Sequence, residues 1–218
     1  METMPEAEKN NYLFVDSEHS ADHDYILPKL FSIVDQFKNE KNSKSIFDLG
    51  CGNGSVANSL SLRGFDVRGI DSSESALQQA HQAYPGLKLE VGSAYDDLKT
   101  RYGQFPMVIS LEVVEHLFNP RIYAKRLFDL VEPGGIAVLS TPYHGYWKNL
   151  VMALTGTLDG HFTALWDYGH IKFWSVKTLS ILLSESGFSG DFKFYFVGRV
   201  PCLAKSMIVV ARKPKADK

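Results

Sequence analysis

The sequence predicts an α/β fold: a mostly parallel sheet of seven strands with helices on both faces. Three observations carry this. Strand-like apolar runs alternate with helix-compatible segments from Ser45 to Thr141, and that alternation builds a parallel sheet through crossovers. One strand runs directly into a glycine-rich turn and a helix, in Ser45-Ile46-Phe47-Asp48-Leu49-Gly50-Cys51-Gly52-Asn53-Gly54-Ser55-Val56-Ala57. Near the C-terminus two strand patterns, 191–197 and 206–213, follow one another without a helix between them, which reads as a hairpin with an antiparallel final strand.

In chain order, residues 1–11 are polar and read as frayed. An amphipathic helix is expected between Tyr12 and Glu40, with Tyr25-Ile26-Leu27, Leu30-Phe31, Val34 and Phe37 on one face and Pro28 near its start. The charged 38–44 run is a loop. Strand 45–50 then leads to a helix at 54–63, strand 65–71, a helix at 73–84 capped by Ser72 or Ser73, strand 87–91 and strand 106–111. Asn119 and Pro120 open a helix to Val131 in N-cap and N1 order. Glu132-Pro133-Gly134-Gly135 turns into strand 136–141, and a helix is expected at 175–186. The domain reading is a helical cover at 1–44 and one domain at 45–218, with an insert at 142–168.

The 218 residues, 44% hydrophobic, suffice for one sizeable core. A net charge of −2 offers no basic field, so DNA is not an expected partner. Cys51 and Cys202 form neither a disulfide framework nor a metal cluster, and the acidic N-terminus is not a signal peptide. No apolar run approaches the ~20 residues that span a membrane. These features point to a soluble, cytoplasmic protein. They set no oligomeric state.

The glycine loop makes a ligand site. Gly50, Gly52 and Gly54 let the backbone turn out of the strand and let a ligand approach closely. Gly52-Asn53-Gly54-Ser55-Val56-Ala57 also fits the loose dinucleotide pattern G-x-G-x-x-A. A pyrophosphate, however, would be repelled by Asp48, whereas a cationic group would be attracted. A nicotinamide dehydrogenase therefore ranks last. A bare strand–helix turn is the bland alternative.

With its acid, this loop resembles motif I of the class I S-adenosylmethionine (SAM)-dependent methyltransferases. The resemblance implies a Rossmann-like fold and the SAM cofactor, with Asp48 near the methionine ammonium and the three glycines against the nucleoside and amino-acid moieties. It implies that Asp71, with Ser72 beside it, receives the ribose hydroxyls, although an acid there could also cap the next helix. Ser93 and Ala94, after the third strand, would read the adenine. Ser110 and Glu112, ending the fourth, would face the methionine tail. The leading helix resembles the cover that this family places over the cofactor, and His19, His23 and Tyr25 are candidates to line it.

Glu112-Val113-Val114-Glu115-His116 is the second informative segment. In a helix starting here, Glu112, Glu115 and His116 would share one face. Two carboxylates beside an imidazole repel each other unless a cation or proton intervenes. With the later His170-Ile171-Lys172-Phe173-Trp174, the segment resembles the ubiquinone-biosynthesis O-methyltransferases and the small-RNA terminal 2′-O-methyltransferases. The latter resemblance implies Glu112, Glu115, His116 and His170 as ligands of a divalent metal such as Mg²⁺. The alternative is a metal-free site in which His116, with Glu115, handles the proton. The insert at 142–168 is long enough for a substrate lid, with Tyr146, Trp147, Leu150, Val151 and Leu154 apolar and His144 and His161 near the site. The resemblance implies peripheral lipid contact through its helix.

The function expected is SAM-dependent methyl transfer to an oxygen of a small, partly apolar acceptor. A metal-independent N- or C-methyltransferase is the alternative within enzymes, and a non-catalytic SAM- or nucleotide-binding module the alternative outside them.

Overall fold

One seven-stranded sheet in the order β3-β2-β1-β4-β5-β7-β6 organises the chain, in a computed structural model that describes residues 18–20, 22–162 and 164–215. The strands are β1 (Ser45–Leu49), β2 (Asp66–Asp71), β3 (Lys88–Val91), β4 (Phe105–Leu111), β5 (Val131–Pro142), β6 (Lys193–Val197) and β7 (Ser206–Arg212). β1 to β5 pair in parallel, while β7 runs antiparallel to both β5 and β6. The helices are α1 (His23–Lys41), α2 (Ser55–Leu62), α3 (Glu74–Ala83), α4 (Leu98–Tyr102), α5 (Pro120–Leu130), α6 (Tyr146–Thr155), α7 (Leu158–Phe162) and α8 (Val176–Ser186). Among the described residues no helix is long and apolar enough to cross a membrane.

The buried faces of the strands explain the two layers. Ile46, Val67, Leu89, Met107 and Ile109 pack with α1, α2 and α3, through Ile26, Leu30, Val34, Phe37, Leu60 and Leu77. Phe47, Leu49, Val108 and Leu139 pack on the other face with α5 and α8, through Tyr123, Leu127, Leu179 and Leu183. Alternate residues of β1 thus enter opposite cores, as the period of a strand requires.

The structure corrects four expectations. The first helix starts at His23, so Pro28 lies in its interior rather than near its start. Its missing N–H is a cost that the apolar face offsets, since Ile26, Leu30 and Val34 are wholly buried. The reading of residues 1–17 lies outside the described residues. Glu112 does not begin a helix: it sits at φ +52, and only Val114–His116 form a turn of 3-10 helix. The i, i+3, i+4 face argument therefore fails. α4 was not expected, because its five residues bury only Leu98 and leave no periodic pattern. The insert folds as two helices, α6 and α7, where one short helix was expected.

Candidate active site

A cavity of about 660 Å³ opens at the carboxyl ends of β1, β2 and β4, where parallel sheets place ligands. Its size suits a small-molecule site. The loop after β1 forms one wall, with Asp48, Gly50, Cys51, Gly52 and Asn53. Gly50 has φ +89, and a Cβ there would stand 2.4 Å from Val113 Cγ2. This glycine is required twice, for its dihedral and for its closeness to the segment after β4.

Two acids shape the cofactor end. The Asp71 carboxylate accepts the Gly52 N–H at 2.9 Å through Oδ2 and the Ser73 N–H at 2.8 Å through Oδ1. It ties the glycine loop to the start of α3, where Ser73 is the N-cap and accepts from Ala76 N. Asp48 is buried, and its Oδ2 has no hydrogen-bond partner. Burial, and then the charge of Asp71, push its pKa up to about 7. An unpaired buried carboxylate beside a cavity calls for a cationic group on the ligand. Ser72, Ser93 and Ala94 also line the cavity, as does Glu112. Gly54 serves instead as the N-cap of α2, and Ser110 is turned away: buried, it donates its hydroxyl to Leu49 O at 2.7 Å and clips β4 to β1.

The acceptor end is built by the segment after β4 and the stretch before α8. The Glu115 backbone carbonyl accepts the Ile171 and Lys172 N–H groups, both at 2.9 Å, which brings His170 beside His116. The two imidazole centroids are 4.9 Å apart. His116 Nδ1 donates to the carbonyls of Tyr168 and Gly169 at 3.0 and 3.2 Å, which fixes the tautomer and leaves Nε2 with its lone pair. Burial lowers the pKa of His116, and burial with the nearby His116 lowers that of His170 to about 4, so both rings are neutral.

The Glu115 carboxylate, His116 and His170 bring ligand atoms within 4.8 Å of one another, a grouping that does not include Glu112. Neither Glu115 oxygen has a hydrogen-bond partner, and Glu112 Oε1 also lacks one. Burial pushes the Glu112 pKa up to about 8, and burial with the charge of Glu112 holds that of Glu115 well above the carboxylate range. Glu112 is reached through a left-handed backbone, a strained conformation of the kind found at functional sites.

Several cavity residues carried no signal in the sequence. Trp166 packs edge-on against His116 and His170, and with Phe162, Leu117 and Phe118 it makes the apolar wall. Asp22, likewise unannounced, reaches the cavity from the start of α1; of the candidates on the leading helix, His23 lines the cavity, whereas His19 contacts Ser59 and Tyr25 donates to Asp22. His144 and His161 pair with each other beside Phe162 and Phe173, and neither lines the cavity. α6 stands apart from it, leaving Tyr146, Trp147, Val151 and Leu154 exposed.

Fold and site together define a Rossmann-like methyltransferase. The chain belongs to the methyltransferase domain family, whose model matches residues 22–191. It is 30% identical to the ubiquinone biosynthesis O-methyltransferase of Psychrobacter arcticus over 160 residues, 67% of this chain and 59% of that protein. It is 34% identical to the protein of the same name from Rickettsia canadensis over 122 residues, 54% of this chain and 49% of the other. The matches thus span about half of the length of these relatives. Among solved structures, the methyltransferase domain of bacterial CtHen1 matches with TM-score 0.62 and 22% identity, over 84% of this chain and 97% of that one. A SAM-dependent methyltransferase from Archaeoglobus fulgidus matches with TM-score 0.63 and 17% identity, over 85% and 92%. These two likenesses are of fold.

Proposed function

We propose that this protein transfers a methyl group from SAM to a hydroxyl oxygen of a small, partly apolar acceptor. One observation carries the reading: the acid–glycine loop and a neutral, tautomer-fixed His116 open onto the same cavity. The names of the two relatives support oxygen as the accepting atom. SAM supplies a methyl group already activated on a sulfonium, so the protein's tasks are alignment, exclusion of water and removal of the acceptor's proton.

In this reading Asp48 faces the cofactor's ammonium, which would draw its pKa back down from about 7. Asp71 receives the ribose hydroxyls on the lone pairs left after it holds Gly52 and Ser73. Gly50 and Gly52 permit contact with the cofactor, Ser72 stands beside its ribose, and Ser93 and Ala94 flank its adenine. Trp166, Phe162 and Leu117 hold an apolar ring and keep water out. His116 Nε2 accepts the proton of the attacking hydroxyl, with Glu115 beside it.

The same cluster fits a divalent cation, because both Glu115 oxygens are orphaned and His116 and His170 are neutral. Glu115, His116 and His170 would hold the ion, and Glu112 stays outside that set. Such an ion would make an acceptor hydroxyl more acidic. The exposed Tyr146, Trp147 and Leu154 of α6 support peripheral lipid contact through the insert.

The test is calorimetry followed by turnover. SAM should bind with a Kd in the micromolar range, about −8 kcal/mol, and NAD should not bind. Tight NAD binding without SAM binding refutes the reading. Activity that survives exhaustive chelation, yet disappears in His116→Ala, assigns His116 as a metal-free base.

A further inference from the structure

The stretch before α8 is fastened to the segment after β4 at two adjacent points. Ile171 and Lys172 donate to the Glu115 carbonyl, and His116 Nδ1 donates to the carbonyls of Tyr168 and Gly169 at 3.0 and 3.2 Å. Those two carbonyls belong to a tight turn, Trp166-Asp167-Tyr168-Gly169, which the Gly169 N–H closes on the Trp166 carbonyl at 3.0 Å. Where they point depends on the shape of that turn.

Two features of the turn are unfavourable on their own. Tyr168, at its third position, has φ +61, a left-handed backbone that such turns normally give to glycine or asparagine. Its side chain is half exposed, so burial of the ring does not impose that conformation. Gly169 has no room for a side chain. A Cβ there would stand 2.9 Å from Trp166 Cε3, 2.9 Å from the Trp166 carbonyl oxygen and 3.0 Å from Trp166 Cδ2. The indole that fills this space lines the cavity and meets the rings of His116 and His170 edge-on, with centroids 6.2 and 5.2 Å away. A strained residue beside an obligatory glycine persists where the surrounding structure holds the geometry in place. What this geometry holds is His116.

We propose that Gly169 is a positioning residue for His116: it leaves the space Trp166 needs, so the turn closes and aims two carbonyls at Nδ1. This rests on the methyl transfer proposed above. In that reaction the oxygen–methyl bond forms while the sulfur–methyl bond breaks, its electron pair returns to sulfur, and the acceptor's proton passes to Nε2. A side chain at position 169 would shift the turn and take both acceptors away from Nδ1. The imidazole could then rotate or exchange tautomers, and Nε2 would no longer present its lone pair to the cavity.

Long-range proton–nitrogen correlation NMR reads the tautomer directly, at neutral pH with chelator and with neither SAM nor acceptor. The His116 signal is the one missing from His116→Ala. Wild-type protein should show the Nδ1–H form, and Gly169→Ala a mixture of tautomers. Tyr168→Val should lose the pure form too, because a branched side chain disfavours positive φ, and it carries the test if Gly169→Ala fails to fold. Tyr168→Gly, for which that backbone is easy, should keep the Nδ1–H form. In turnover of SAM with a catechol that carries an apolar side chain, Gly169→Ala should lose kcat by about tenfold or more, part of what a placed base supplies, with KM for SAM changed by less than about twofold. Gly160→Ala, in α7 with nothing within 4 Å of its Cβ, should alter neither tautomer nor kcat. A pure Nδ1–H form in Gly169→Ala or Tyr168→Val, its loss in Tyr168→Gly, or an equal change in Gly160→Ala overturns the inference and leaves the functional reading intact. Wild-type protein that shows the Nδ1–H form but transfers no methyl group overturns the functional reading, and the positioning role with it.

Discussion

Asp48→Asn should separate stability from function. In the cofactor-free protein Asp48 is 2% exposed and its pKa stands at about 7, against about 3.9 in an unfolded chain. A carboxyl group raised in this way contributes stability that is fully present below the unfolded value and lost as pH climbs through the folded one. Between pH 5 and 7 the folded group keeps a proton that the unfolded chain has released. At about 1.4 kcal/mol per pH unit, the wild type loses about 2–3 kcal/mol over that span from this residue alone. Asparagine has nearly the same shape and does not titrate. Urea unfolding of both proteins at pH 5 and pH 8 should therefore show the variant gaining about 2–3 kcal/mol on the wild type at the higher pH. Titrations of Glu112, Glu115 and the histidines occur in both proteins and cancel in the difference. The variant should meanwhile bind SAM about 1.5–3 kcal/mol more weakly, having lost a charged acceptor. A stability difference that is the same at both pH values refutes the claim that Asp48 is a strained, buried acid awaiting a cation.

Gly50→Ala should destabilise by about 1–3 kcal/mol and by more than Gly64→Ala, because both have positive φ but only the Gly50 Cβ would strike a side chain; thermal melts of the pair decide this. Asp71→Ala should lower SAM affinity by about 1–3 kcal/mol, read by calorimetry, since it removes both the expected ribose acceptor and the tie to Gly52 and Ser73. Trp147→Ala should change stability by no more than about 0.5 kcal/mol, because that side chain is 62% exposed; a large fall in melting temperature would give α6 a packing role that its exposure denies. Hydrogen exchange across 158–171 should slow when an acceptor binds, because Phe162, Trp166 and His170 belong to its wall.

Much of this was legible in the sequence, and the reasons are local. The strand ending in Asp48 and the glycines after it specify a turn that few other residues could make. Ser73 sits where an N-cap is needed and caps its helix. The strand alternation located the other strands to within a residue or two, whereas β5 begins at Val131, ahead of the expected start at 136, and takes in the expected turn at 132–135. What escaped depends on contacts between distant segments. Ser110 looked like a site residue because it ends a strand, yet whether it faces a cavity or Leu49 is set by sheet register. Glu112 to His116 fitted a helical face, but the backbone turns left-handed at Glu112, which carries no glycine to announce it. Trp166 and Asp22 reach the cavity only because the Glu115 carbonyl pins the loop before α8 and because α1 packs on the sheet. His116 and His170, by contrast, were named together from a motif and do lie together.

The most direct measurement of the central claim is transfer of an isotopically labelled methyl group. The purified protein would be incubated with SAM bearing a trideuterated methyl and with a catechol that carries an apolar side chain, and the products read by mass spectrometry. A labelled methyl ether on one catechol oxygen is expected, with equimolar S-adenosylhomocysteine, and loss of both in His116→Ala. Label recovered on nitrogen or carbon of other acceptors and never on oxygen, or SAM bound without any turnover, would contradict it.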